Sequence, residues 1–80
     1  MKLYYFETPN ARKPCAVAKH LGSPVDFVRL DLSSGEQKEP AFLAVNPNGK
    51  VPALHDADVR LWESHAIMAY LAHKAGSGLW

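Results

Sequence analysis

The sequence predicts an α/β domain of order β-α-β-α-β-β-α, built around a mixed four-stranded sheet. Three observations carry that prediction. The apolar run from Lys2 to Phe6 gives way, across the breakers Thr8-Pro9-Asn10, to an apolar period of 3.6 residues, so a buried strand feeds an amphipathic helix. A second run, Val25 to Asp31, alternates apolar and polar residues as a strand does. Two short runs around Asp56-Ala57-Asp58 then lead into a last helical stretch, so the chain closes on a hairpin and a helix.

The elements follow in order. In the first helix Pro14, Val17, Ala18 and Leu21 share a face, while Arg12, Lys13, Lys19 and His20 take the others. Asn10 is the expected cap and Gly22 the stop. Pro14 is expected in the first turn, where a missing N–H costs least. After the Val25–Asp31 strand comes a polar loop, Ser33 to Lys38, and a short helix over Pro40 to Val45. Val51 to His55 and Val59 to Trp62 form the antiparallel hairpin. Ser64 opens the last helix, with Ile67, Tyr70, Leu71 and Lys74 on one stripe, and Gly76-Ser77-Gly78 ends it. Strands joined through a helix run parallel by a right-handed crossover. The whole is the thioredoxin-like arrangement, which hosts many functions, so the site has to carry the functional argument.

Composition narrows the classes. Eighty residues with 48% apolar and 21% charged side chains suit one soluble globular domain, near the lower limit for a single core. A net charge of +1 gives no long-range pull toward nucleic acid or a membrane. The aromatic residues are too scattered for a base-stacking platform. The single cysteine, Cys15, excludes an intrachain disulfide and suits a reducing compartment. No apolar run approaches spanning length or a signal peptide, so the expectation is cytoplasmic. His20, His55, His65 and His73 have no metal-ligand spacing, so no metal is expected.

Three segments carry candidate chemistry. Val51-Pro52 follows Asn46-Pro47-Asn48-Gly49-Lys50 and precedes the hairpin. A cis X-Pro bond there presents the Val51 backbone to an extended peptide; a trans proline opening a strand is the commoner alternative. Glu63-Ser64 begins a helix. Ser64 as N-cap is worth about 1 kcal/mol of helix stability, and the same helix end binds a carboxylate through its open N–H groups while Glu63 offers a partner to an ammonium. A ligand end bearing both groups on one carbon, such as a γ-glutamyl group, fits the pair. A solvated capping glutamate is the competing view. Thr8-Pro9-Asn10-Ala11 lies between the first strand and helix, the slot where thioredoxin and glutaredoxin relatives hold Cys-x-x-Cys. Thr8 and Ala11 stand at those cysteine positions, which removes dithiol chemistry there. Asn10 is either a plain cap or a donor to a thiolate on a ligand. Lys38 and Lys50, from separate loops, suit a ligand carboxylate, and Gln37 adds a hydrogen bond. Cys15, one helical turn beyond Ala11, reads as an inert filler.

Along nearly its whole length the chain resembles the N-terminal domain of cytosolic glutathione transferases. The strings Asn46-Pro47-Asn48-Gly49-Lys50-Val51-Pro52 and Glu63-Ser64-His65-Ala66-Ile67 are among the most diagnostic of that family. The Thr8-Pro9-Asn10 start looks most like bacterial and fungal groups that carry Asn near the glutathione sulfur. The resemblance implies a cis Pro52, with Val51 pairing its backbone to the cysteinyl unit of glutathione. It implies that Glu63 and Ser64 hold the γ-glutamyl group, that Gln37, Lys38 and Lys50 approach the glycyl carboxylate, and that Asn10, with Thr8 nearby, faces the thiol. Glutathione would then be a co-substrate, and the parent enzyme a homodimer that conjugates it to electrophiles or reduces disulfides and peroxides with it. Where members often have Arg after Glu-Ser, this chain has His65, a position at the family's dimer interface. Residues 1–76 are expected to be the glutathione-binding domain and residues 77–80 the start of a linker to a helical domain. A non-catalytic, transferase-like interaction module is the alternative from another class, and a cysteine-dependent redox domain is a third.

Overall fold

The computed structural model describes residues 1–76. Its elements are β1 (Lys2–Tyr5), α1 (Pro9–Leu21), β2 (Asp26–Arg29), α2 (Pro40–Leu43), β3 (Ala53–Asp56), β4 (Val59–Leu61) and α3 (Ser64–Lys74). The strands lie in the order β2-β1-β3-β4. The pair β1–β2 is parallel, while β1–β3 and β3–β4 are antiparallel. This is the mixed thioredoxin-like sheet that the sequence predicts.

Alternation along the strands makes two cores. Leu3 sits opposite both Phe27 and Leu54 in the register. Leu3 and Leu54 point to the α1–α3 side, where they pack with Ala18, Ile67 and Leu71. Tyr4 and Ala53 point the other way and meet Phe42, Val45, Leu30 and Val51. There the Tyr4 ring stands edge-on to Phe42 at 5.2 Å between centroids. Each fully buried leucine contributes about 2 kcal/mol of apolar transfer free energy. On α3 the buried stripe is Ile67, Met68, Leu71 and Ala72. Tyr70 and Lys74, expected on that stripe, instead reach sideways to the Asp56 carboxylate at the end of β3.

The helix ends differ from the sequence reading in an instructive way. Thr8, not Asn10, caps α1: its hydroxyl accepts the Ala11 N–H at 3.3 Å. Pro9 takes the first helical position, which puts Pro14 in the second turn rather than the first. The helix tolerates Pro14 because it is buried against the core and only the Asn10 carbonyl forfeits a donor. Gly22 stops α1 as expected, with φ of 64° and its N–H on the Ala18 and Lys19 carbonyls. Glu63, not Ser64, caps α3, its carboxylate accepting from His65 at 3.3 Å and Ala66 at 3.4 Å. In both helices the cap is the residue just before the first helical position, Thr8 before Pro9 and Glu63 before Ser64.

The polar loop is also more ordered than its composition implies. It holds two 3-10 turns, Leu32–Ser34 and Glu36–Lys38. Asp31 organises them, accepting from the Ser33 N–H and from both the Ser33 and Ser34 hydroxyls. Those bonds hold its carboxyl below the usual range. Glu36 returns the favour by accepting the Asp31 N–H at 2.7 Å. The predicted end of the last helix is met at Gly76, with φ of 69°. Ser77, Gly78 and the expected linker over 77–80 lie outside the described residues.

Candidate functional site

Three connections meet at one end of the sheet and enclose a cavity of about 650 Å³ lined by Thr8, Pro9, Asn10, Leu32, Gln37, Gly49, Lys50 and Val51. They are the β1–α1 junction, the two 3-10 turns between β2 and α2, and the segment between α2 and β3. Five of the residues singled out in the sequence are therefore brought together: Thr8, Asn10, Gln37, Lys50 and Val51. Lys38, Pro52, Glu63 and Ser64 do not line this cavity. Pro52 is buried directly behind Val51, Lys38 is exposed one residue past Gln37, and Glu63 and Ser64 form the start of α3.

The backbone donors of the site follow from the caps. In the first turn of α1, Pro9 has no N–H, Ala11 donates to Thr8 Oγ1, and Arg12 donates to the Thr8 carbonyl at 3.0 Å. That leaves the Asn10 N–H as the open donor, on the positive end of the helix dipole. The same holds at α3. His65 and Ala66 donate to Glu63, and Ile67 donates to the Glu63 carbonyl at 2.9 Å, leaving the Ser64 N–H and hydroxyl open among the described residues.

The Val51-Pro52 peptide bond is cis. Neither the N–H nor the C=O of Val51 is hydrogen-bonded to another described residue. They form a short unpaired edge just before β3. Gly49 must stay small and left-handed to bring that edge in. Its φ is 64°, and a Cβ there would stand 3.2 Å from the Gln37 carbonyl oxygen and 3.4 Å from Leu43 Cδ2. Gln37 lines the same cavity, and its side-chain Oε1 is buried and without a partner among the described residues. An unpaired buried amide atom costs about 1–3 kcal/mol.

Sequence reasoning quoted Asn46 as part of a string and gave it no task. In the structure it is 1% exposed, and its side chain bridges Asn48 and Lys50. The sequence signal is the Asn46-Pro47-Asn48-Gly49 turn, since a turn asparagine bonds the main chain two residues on.

A separate groove of about 420 Å³ runs between α1 and β2, lined by Tyr5, Phe6, Arg12, Cys15, Lys19 and Phe27 among others. Burial pushes the Cys15 thiol up, with only partial opposition from Lys19, so it is a poor nucleophile at neutral pH. Among the described residues no three His, Cys, Asp or Glu side chains are arranged to hold a metal ion. Among them, too, no helix is long and apolar enough to cross a membrane.

Comparison with known proteins decides the family. Residues 1–73 match the family model of the glutathione S-transferase N-terminal domain. The chain belongs to that family. The chain is 47% identical, over 75 residues, to the probable glutathione S-transferase GSTF2 of Oryza sativa subsp. japonica, covering 92% of this chain and 35% of the relative. It is 43% identical over 68 residues to the glutathione S-transferase-like protein gedE of Aspergillus terreus, covering 82% and 29%. Among solved structures it is similar to a glutathione transferase family member from Pseudomonas fluorescens with two glutathione bound. That match has a TM-score of 0.86 and 37% identity over 94% of this chain and 36% of the other. Ure2p in complex with glutathione gives a TM-score of 0.83 and 37% identity, covering 92% and 35%. The chain thus spans about a third of the length of these relatives.

Proposed function

We propose that this domain binds glutathione in the cavity between the start of α1 and the Gly49–Val51 segment, and that the protein it belongs to uses the bound thiol as a nucleophile. The observation that carries the reading is the unpaired Val51 main chain lining a cavity large enough for a tripeptide. An extended ligand adds to that edge as a short antiparallel strand, its cysteinyl N–H and C=O exchanging bonds with Val51. The γ-glutamyl carboxylate then meets the Ser64 N–H and hydroxyl, and its ammonium meets Glu63. Gln37, Lys38 and Lys50 take the glycyl carboxylate. Several relatives whose structures hold glutathione or a derivative support this reading.

At the sulfur, the open Asn10 N–H and the helix dipole favour the thiolate over the thiol, with the Asn10 side-chain amide as a second donor and Thr8 beside it. A charge at a helix N-terminus gains about 0.3–1 kcal/mol, up to about 2 when partly buried, enough to lower a thiol pKa by about 0.2 to 1.5. In conjugation the sulfur lone pair forms a bond to an electrophilic carbon, and the leaving group departs with its electrons. In the reductive variant two glutathione molecules supply two electrons to a disulfide or peroxide and leave as their disulfide. Asn10 at this position supports placing the domain with the bacterial and fungal groups that carry Asn near the sulfur, although the curated relatives named above come from a plant and a fungus. The length of the relatives supports reading residues 1–76 as the first domain of a longer protein; that this protein is a homodimeric, cytoplasmic enzyme whose helical domain supplies most of the electrophile site is part of the same proposal.

Titration of the ¹⁵N-labelled chain with glutathione tests the binding step. Saturable shifts are expected at Asn10, Val51 and Ser64. A flat response at all three in millimolar glutathione would sink the proposal.

A further inference from the structure

We infer that Asn46 is a positioning residue that aims the Val51 N–H into the cavity by fixing the peptide plane between Lys50 and Val51. The inference takes its functional meaning from the glutathione reading, but its geometry stands apart from it. Asn46 is the buried polar residue of the described chain, and all of its hydrogen-bonding groups are engaged. Its main-chain N–H donates to the Phe42 carbonyl at 2.9 Å, and its carbonyl accepts from Gly49 at 2.9 Å. Its Oδ1 accepts the Asn48 N–H at 3.0 Å, and its Nδ2 donates to the Lys50 carbonyl at 2.8 Å.

The last bond is decisive. The Lys50 carbonyl and the Val51 N–H belong to one peptide group, which is trans because the cis bond lies after Val51. In a planar trans peptide the C=O and N–H point in opposite directions. Drawing the Lys50 carbonyl inward onto a buried side chain therefore turns the Val51 N–H outward, where Val51 lines the cavity. With the plane reversed, the Lys50 carbonyl would face the cavity instead. A donor would become an acceptor at the place where a ligand strand pairs.

Asparagine is suited to the task because it carries one acceptor and one donor on a short stem. Aspartate would set a second acceptor against the Lys50 carbonyl, and leucine would offer neither group.

The test is Asn46→Asp, followed across pH in the 80-residue chain. At pH 7.5 the introduced carboxylate lacks the donor. Large ¹⁵N shifts are expected at Lys50 and Val51, together with at least a tenfold rise in the glutathione Kd relative to wild type. At pH 5 the buried carboxyl gains a proton and becomes a donor again, so the variant-to-wild-type Kd ratio should fall toward one. A purely structural role predicts no such convergence. Phe42→Leu, which loosens the core beside the same turn but keeps every Asn46 bond, should leave the Kd within twofold. Should Asn46→Asp not fold at pH 7.5, Asn46→Ser carries the same amide and Kd readouts, since its shorter hydroxyl reaches at most one of the two partners.

The inference is overturned by a folded Asn46→Asp that binds within twofold of wild type at pH 7.5, or by a Phe42→Leu that weakens binding as much. If wild type itself gives no glutathione response, the binding proposal fails alone. The Lys50 and Val51 amides then decide the inference, and unmoved resonances in the variant overturn it.

Discussion

Glu63 caps α3, and the proposed function gives it a second task that substitutions can separate from the first. Its carboxylate accepts the His65 and Ala66 N–H groups at 3.3 and 3.4 Å, which is the cap of α3. The proposed function also assigns it the ammonium of the γ-glutamyl group. Both cap bonds are long and the side chain is exposed, so the cap contributes at the low end of the usual range, about 0.5–1 kcal/mol. For a domain of this size each kcal/mol moves the melting temperature by about 4–8 °C, so losing the cap should cost roughly 2–8 °C. Glu63→Ala removes cap and charge together. Glu63→Ser supplies one of the best capping side chains and removes only the charge. Losing a charge-assisted hydrogen bond to an ammonium should weaken glutathione about tenfold, or about 1.4 kcal/mol. The expected pattern is thus asymmetric: both variants bind glutathione about tenfold more weakly by calorimetry, while only Glu63→Ala melts lower by circular dichroism. If Glu63→Ser binds as tightly as wild type, the side chain is a cap and nothing more. If Glu63→Ser melts as low as Glu63→Ala, the capping argument is wrong.

Three further outcomes follow from the geometry. Gly49→Ala should destabilise the domain by about 1–2 kcal/mol through its left-handed backbone, and the close Gln37 carbonyl should add a loss of glutathione affinity; thermal melts and titration check the two parts. The Asp56–Tyr70–Lys74 cluster predicts a pH window. Lys74 first and Tyr70 second hold the Asp56 carboxyl below its ordinary 3.8, so its contribution is present above that value and lost as pH falls through the depressed one. Lys74 and Tyr70 are both raised, chiefly by Asp56, so their contributions are present below 10.5 and 10.0 and lost as pH rises beyond them. Melting Asp56→Asn beside wild type from pH 2 to 11 should show a stability gap that is flat in the middle and closes at both ends; a gap independent of pH would refute the assignment. Cys15→Ala should leave glutathione binding unchanged, and in wild type iodoacetamide should alkylate Cys15 more slowly than a free thiol at pH 7.5.

The fold was legible because its signals are local. The switch from a strand run to a 3.6-residue period, the alternation over Val25–Asp31 and the hairpin runs each fix one element, and the β-α-β rule fixes their order. What sequence reasoning misplaced were the helix caps, at Asn10 and Ser64 instead of Thr8 and Glu63. Composition identifies capping residues within a residue or two, but only geometry says which oxygen reaches the inner amides. The ordering of Ser33 to Lys38 was missed for a related reason. Hydrogen bonds among Asp31, Ser33, Ser34 and Glu36 make a polar stretch regular without giving it an apolar period. The hairpin turn holds the reverse case. Ala57 takes φ of 53°, where glycine or asparagine would be expected, and no local rule predicts an alanine there.

The proposed function rests on three main-chain N–H donors, at Asn10, Val51 and Ser64, and none of them is left open by its own side chain. Each is exposed by what its neighbours remove. Pro9 deletes one donor of α1 and Thr8 occupies another, which leaves Asn10. Glu63 occupies two donors of α3, which leaves Ser64. Asn46 occupies the carbonyl that shares a peptide plane with Val51. Recognition built this way constrains the residues beside the contacts more tightly than the contacts themselves. Substituting the side chain of Val51 by another apolar one should therefore change affinity less than substituting Thr8, Asn46 or Glu63, although Val51 alone lies on the proposed docking edge.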